Sequence, residues 1–491
     1  MMRRSYRAIR IIAAGAAWLL CASAAFAAKT QNVVLIVSDG LRWQEIFTGA
    51  EEDLLNDTTG GSWLPEEELR KRYWRASESE RRAALFPFLW GTVAKRGQIF
   101  GNQAVGSVAQ VINGMAFSYP GYNEMATGFP NPAIDSNEFG PNPNPTVFEW
   151  LNKFDEFKGR VAIYGTWNAF DEIFNKKRSG LVMQTGWTAP KKPHESASDA
   201  LLRRVYETLT EVNEEGPPDA LLQIPLLDYV ATAKPRVLFV GYGETDDWAH
   251  QGRYDLVLDS AHRFDFFVKQ LWDTMQAMPE YRDKTTFIIT TDHGRGSGLT
   301  EWKEHGVEQK GSENIWIAVI GPDTAPLGER SHVAPVTQAQ IAATVAAFVG
   351  KDYHAAVPWA AEPIAPVLES TGNGFASIVA LNALQPDQTL GPDNLKVYLS
   401  NGAGAFALPA YVADGIGPLY LASADLNHDG LPDLVSADYG VSLFLQTSAG
   451  VFAPPASLYS GGACRPSLSA PEKGYIRLGP ANCGPTNQPT N

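Results

Sequence analysis

Cysteine is scarce in this chain: 491 residues carry three, Cys21, Cys464 and Cys483, with none between the first and the second. That excludes thiolate metal sites and a dense disulfide framework from most of the sequence. Beyond the N-terminal segment, no apolar run approaches the ~20 residues that a membrane-spanning helix needs, so a spanning topology is not expected. Basic stripes are missing too, and with a net charge of −14 a structural nucleic-acid partner is disfavoured. An anionic substrate is not excluded, because bound cations would dominate the local field. Histidine is also rare, at eight in the whole chain, which makes any grouping of histidines with acids informative.

The N-terminus carries Arg3, Arg4, Arg7 and Arg10, then an apolar stretch from Ile11 to Leu20, then Ala25-Phe26-Ala27. This is the pattern of a secretory leader cut near Ala27, and it predicts a periplasmic or secreted protein. Arg3-Arg4 leaves the general and the twin-arginine export routes both open. Cys21 would leave with the leader, and in an oxidising compartment Cys464 and Cys483 are expected to pair. Single cores rarely grow far past about 300 residues, so the length predicts a large unit and a smaller one. The division is read as a leader over 1–27, a catalytic unit over 28–370 and a small β module over 371–491.

Apolar, β-branched runs at Val33–Val37, Arg160–Tyr164, Val237–Val240, Thr286–Thr290 and Ile315–Ile320 alternate with helix-like segments. The fold class predicted is α/β, a largely parallel sheet flanked by helices, with the small C-terminal β module. After Gly252, the residues Val257, Ala261, Phe264, Val268, Leu271 and Met275 share one helical face, leaving Asp259, Arg263 and Lys269 elsewhere. A further helix is expected with Thr337 as its N-cap and Gln340 at the capping-box position, ending before Gly350. Beyond about residue 370, short strands such as Val441-Ser442-Leu443-Phe444-Leu445 alternate with Gly, Asn and Asp turns.

Acids follow three of the predicted strands closely: Asp39, Asp246 and Asp292. Ligand sites in open α/β sheets gather at the carboxyl ends of strands, so these three could converge. Asp246 and His250 are four apart, Asp292 and His293 are adjacent, and His305 precedes Gly306. Oxygen and imidazole donors without thiolates suit zinc or manganese, and there are enough of them for two ions. The alternative for each residue alone is ordinary: a turn at Asp39-Gly40, helix caps at Asp246 and Asp247, incidental histidines.

In order, the motifs are Asp39-Gly-Leu-Arg, then Phe117-Ser118-Tyr119-Pro120-Gly121-Tyr122 leading to Thr127-Gly128, then Glu244-Thr-Asp246-Asp-Trp-Ala-His250, then Asp292-His293-Gly, then His305-Gly. From about Gln31 to Leu368 this resembles the alkaline phosphatase superfamily, and within it the nucleotide pyrophosphatase/phosphodiesterase branch. The resemblance implies a two-metal phosphoester hydrolase with Ser118 as nucleophile. One ion would take Asp39, Ser118, Asp292 and His293, and the other Asp246, His250 and His305. It also implies a phosphorylated small-molecule or polymer substrate. The branch has Thr-Phe-Pro-Asn-His where this chain has Ser118-Tyr119-Pro120-Gly121-Tyr122. That departure bears on diesterase and nucleotide specificity rather than on hydrolysis. A hydroxyl is a weak nucleophile near neutral pH unless a cation or a base stabilises its alkoxide, which is why such chemistry needs the ion. Asn137 lies where the branch keeps an asparagine that donates to a phosphoryl oxygen; alternatively it belongs to a polar loop. Sulfatases share this fold but need C/S-x-P-x-R, and Tyr122 stands in place of the arginine.

In the C-terminal stretch, Asp425, Asn427, Asp429 and Asp433 alternate around Gly430, as oxygen donors of a calcium loop do. Ser436 replaces the closing glutamate of an EF-hand, and the loop resembles FG-GAP or VCBS-type repeats, with a plain Asx-rich turn as the alternative. Two other readings stay open: a phosphate mutase of the same superfamily, and a calcium-dependent binding or adhesion protein on an inactive scaffold. Oligomeric state has no sequence signal.

Overall fold

The strand β1, Asn32–Ser38, is buried along its whole length, and its alternate side chains enter two different cores. Val34 and Ile36 belong to one hydrophobic cluster, Val33, Leu35 and Val37 to the other. A strand apolar on both faces belongs in the middle of a covered sheet. In the computed structural model β1 lies between two parallel neighbours. Residues 29–190, 196–211, 213 and 215–368 are described there, and beyond 368 a series of strands. The expected leader and its expected cleavage point therefore lie outside the described residues.

The main sheet has eight strands: β1, β2 (Gly97–Phe100), β3 (Val161–Gly165), β4 (Val182–Thr185), β5 (Val237–Tyr242), β6 (Thr285–Thr290), β7 (Ile317–Ile320) and β8 (Gly328–Glu329). Their order is β4-β3-β5-β1-β6-β7-β2-β8. The sheet is largely parallel, as expected, except that β7 pairs antiparallel with both β6 and β2. The expected run at Ile315 begins its strand at Ile317, and the sequence pattern carried no sign of its reversed direction.

Five helices matter for the site: α1 (Ser118–Thr127), α2 (Asp219–Ala233), α3 (Glu244–His250), α4 (Tyr254–Ala277) and α5 (Gln340–Phe348). On one sheet face α4 buries Val257, Ala261, Phe264, Val268, Leu271 and Met275, the stripe predicted after Gly252. Burying each of these side chains other than Ala261 contributes on the order of 1.5–3 kcal/mol before entropy is counted. On the other face lie Tyr119, Tyr122 and Met125 of α1 with Ile341, Val345 and Phe348 of α5.

The predicted cap of α5 is corrected. The helix starts at Gln340 with Ala339 before it, and Thr337 instead pairs in a short parallel bridge with Gln110. Gln340 Oε1 does accept from the Thr337 N–H at 2.9 Å, but the Thr337 side chain does not cap; Glu124 Oε1 accepts from Ala339 N at 3.1 Å and takes that task from a distant helix.

All described segments beyond 368 are β-strands with antiparallel partners. Asp425, Asn427 and Asp429 lie outside the described residues, and Asp433 opens the strand Asp433–Ala437. Cys464 and Cys483 are direct partners in the antiparallel register of two strands.

Candidate metal centre

Strands β5, β1 and β6 finish level with one another, Val37 being paired with Gly241 on one side and Thr290 on the other. The chain leaving each carboxyl end therefore emerges at one edge. Asp39 follows β1 directly, α3 with Asp246 and His250 follows β5, and Asp292-His293 follows β6. Ser118 is the first residue of α1, and His305 comes after the short turn Glu301–Lys303. All seven residues expected as ligands meet here.

Each donor at the first position is held by one atom and left free at another. Tyr122, four residues on from Ser118 along α1, donates its hydroxyl to Asp39 Oδ2 at 3.0 Å, while Oδ1 is buried without a hydrogen-bond partner. Gly40 N donates to Asp292 Oδ1 at 3.0 Å, and Asp292 Oδ2 is likewise buried and unpartnered. His293 Nδ1 lies 2.9 Å from Gly294 O, so it carries the proton and leaves the Nε2 lone pair pointing inward. That Nε2 is 3.4 Å from Asp39 Oδ1, 3.5 Å from Asp292 Oδ2 and 3.3 Å from Ser118 Oγ. Two buried carboxylate oxygens without donors, aimed at one imidazole nitrogen, are costly unless a cation joins them. The residues present fit a divalent ion.

The second group comprises Asp246, His250 and His305. His250 Nε2 is 3.2 Å from Asp246 Oδ2 and 2.9 Å from His305 Nε2, and His305 Nε2 is 3.8 Å from Asp246 Oδ1. Within this group the donor atoms all lie within 4.8 Å of one another, and the same holds for Asp39, Asp246 and His293. Asp246 thus stands between the two groups, closer to the first than the sequence assigned it, with Oδ1 3.9 Å from His293 Nε2.

Electrostatics separate the histidines. Burial works against a charged His293, but the Asp292 and Asp39 carboxylates outweigh it and raise the ring to about 9, so a cation binding at Nε2 would displace a proton from it. Burial, then the repulsion of Asp39, pushes Asp292 above the usual carboxylate range. Burial, followed by the charge on His293, lowers both His250 and His305, leaving neutral rings suited to ligate a cation.

Ser118 is presented by a tight turn. Ala116, two residues earlier, has φ +49°, a left-handed conformation costing an alanine about 1–2 kcal/mol. Asn113 Oδ1 accepts from Met115 N at 2.8 Å and Ala116 N at 2.9 Å, and Glu124 in turn accepts from Asn113 Nδ2 at 2.9 Å and Ile112 N at 3.0 Å. The strained turn is overdetermined from its own helix. Asn137 is exposed; its Oδ1 accepts from Tyr119 N at 2.9 Å, which leaves the amide Nδ2 available beside the start of α1.

Several supporting residues had no sequence signal. Asp219, buried at the start of α2, accepts from Gly243 N at 2.9 Å and Glu244 N at 3.3 Å, so it caps the helix that bears Asp246 and His250. Thr245 donates to the Asp39 carbonyl and exchanges a hydrogen bond with Ser38. Tyr122 could have been anticipated from its spacing, since residues four apart share a helix face.

No protein-family model and no curated protein sequence matches the chain. Among solved structures it is similar to the wild-type alkaline phosphatase PafA, at 10% identity and a TM-score of 0.45 over 69% of this chain and 99% of that one. A second similar structure is the phosphonate monoester hydrolase of Silicibacter pomeroyi, with 14% identity and a TM-score of 0.42 over 79% and 90%. A third is the lipoteichoic acid synthase LtaP of Listeria monocytogenes, with 12% identity and a TM-score of 0.44 over 79% and 86%.

Proposed function

We propose that the chain is a two-metal hydrolase of phosphate mono- or diesters, with Ser118 as nucleophile. The observation that carries this reading is the placement of Ser118 Oγ 3.3 Å from His293 Nε2, beside two buried carboxylate oxygens that lack donors. Asp39, Asp292, His293 and Ser118 would hold one ion, and Asp246, His250 and His305 the other. When bound, such ions stabilise the serine alkoxide and the charge on the departing oxygen. Zinc is the preferred metal for this donor set, with manganese the alternative.

Ser118 Oγ attacks phosphorus, the ester P–O bond breaks, and the alcohol leaves, giving a phosphoseryl chain. Water then cleaves the serine ester, restoring the hydroxyl and releasing phosphate, or a monoester when the substrate was a diester. The Asn137 amide, oriented by its bond from Tyr119 N, donates to a phosphoryl oxygen. Tyr122 keeps Asp39 from turning, and Asp219 fixes the direction of α3.

The sequence supports action outside the cytoplasm after loss of residues 1–27. It also supports calcium at Asp425, Asn427, Asp429 and Asp433 in a C-terminal unit. Among the described residues, no helix is long and apolar enough to cross a membrane. The test is hydrolysis of aryl phosphate mono- and diesters by wild type and Ser118→Ala, before and after chelation. Activity should vanish with either perturbation; full activity in the alanine variant or the chelated enzyme refutes the proposal.

A further inference from the structure

We propose that Arg295 is a positioning residue that ties together the two chain segments supplying the second ion's ligands; this rests on the two-metal reading above. Its side chain is 1% exposed, an unusual place for a guanidinium. Nη2 donates to Asp246 Oδ1 and, at 3.3 Å, to the Asp246 carbonyl, while Nη1 donates to the Lys303 carbonyl. One planar group thus spans from α3, which carries Asp246 and His250, to the turn two residues before His305. It also sits two residues after His293, so the strand end that serves the first ion carries the clamp for the second.

Consequences follow for Asp246. Among the described residues no other hydrogen-bond donor reaches its Oδ1, so Arg295 sets the carboxylate plane and turns Oδ2 toward His250 Nε2, 3.2 Å away. The clamp is tightly enclosed. A Cβ at Gly40 would lie 2.5 Å from Asp246 Oδ1 and 2.9 Å from Arg295 Nε, and Gly40 has φ +58°, so glycine answers both the steric and the conformational demand.

Two effects of Arg295 on ion binding oppose each other. Its charge repels a nearby dication, whereas the orientation it imposes on a ligand favours binding, typically by 10–100-fold for partners behind a ligand. The guanidinium is in direct contact with the Asp246 carboxylate, so much of its field at the ion's seat is cancelled, and orientation wins.

The test titrates chelator-stripped full-length chain with Zn²⁺ by calorimetry, for wild type, Arg295→Gln, Arg295→Met and Arg295→Lys. Wild type should take two ions. The Gln and Met variants should keep the first ion at wild-type affinity and bind the second about 10–100-fold more weakly. Lysine keeps the charge but lacks the fork, and should show the same selective loss. A general loss of stability would weaken both ions together, so selectivity separates positioning from a merely structural role. Tighter binding of the second ion in the Gln and Met variants, or unchanged affinity for both ions, overturns the proposal. If the Met variant fails to fold, the lysine variant decides: selective loss supports the clamp and wild-type affinity refutes it. A wild-type chain that takes up no ions defeats the two-metal reading and this one with it, a result distinct from two ions bound regardless of residue 295.

Discussion

Replacing Tyr122 by phenylalanine removes one hydroxyl and little else. The ring is packed by Phe170 with centroids 4.8 Å apart, and by Phe239 at 6.0 Å and Trp167 at 6.2 Å, so phenylalanine retains the same bed. What is lost is the 3.0 Å bond to Asp39 Oδ2. Burial and the neighbouring Asp39 push the Tyr122 hydroxyl well above its ordinary range, so it is a neutral donor at every pH of interest. A hydrogen bond to a charged group contributes about 1.5–3 kcal/mol. Loss of a partner behind a metal ligand lowers affinity about 10–100-fold, which corresponds to about 1.4–2.8 kcal/mol. The two routes agree. Competition between the stripped protein and a chromogenic chelator for Zn²⁺ should show that loss for the ion at Asp39, with the fold intact by circular dichroism. Affinity within twofold of wild type would mean that Asp39 is oriented by something else, and the reasoning would fail.

Glu124 is held near 7 by burial, against an ordinary 4.5. The folded chain therefore binds this proton more tightly than the unfolded one, so its stabilising contribution is full below about 4.5 and is lost as pH rises to about 7, by about 3 kcal/mol at most. Subtracting the denaturation profile of Glu124→Gln from wild type should reveal that slope; a flat difference contradicts the assignment. Asn137→Ala should lower kcat by about 10²–10³, the usual cost of deleting one donor to developing charge, while stability falls by only about 0.5–2 kcal/mol through the lost cap of α1. A change in stability alone would confine Asn137 to the cap. Cys464 and Cys483, opposite each other in register, should resist thiol labelling in unreduced protein and react after reduction. Two free thiols in unreduced protein would refute the pairing.

The strands were legible because their apolar runs are continuous, and the convergence of the candidate ligands because acids and rare histidines stand just past those runs. Asp39, Asp246 and Asp292 needed only the rule that parallel strands end together. Partnerships that act across the sheet were not legible. Tyr122 meets Asp39 83 residues away, Arg295 meets Asp246 49 away, and Glu124 meets Ala339 215 away, and none of these distances has a local pattern. The cap of α5 was misplaced for the same reason. Thr337 has the right side chain, but it lies in a strand bridge beside Gln110, two residues short of the N-cap Ala339, and a remote carboxylate accepts from the Ala339 N–H. The reversed direction of β7 left no trace because buried strands of either sense carry the same apolar residues.

Anomalous diffraction from crystals of the full chain soaked in Zn²⁺ tests the proposed two-ion centre most directly. Two peaks are predicted, one within coordination distance, about 2.0–2.2 Å, of Asp39 Oδ1, Asp292 Oδ2 and His293 Nε2, and one bonded to Asp246, His250 and His305. Peaks elsewhere, or none at these six side chains, would contradict it.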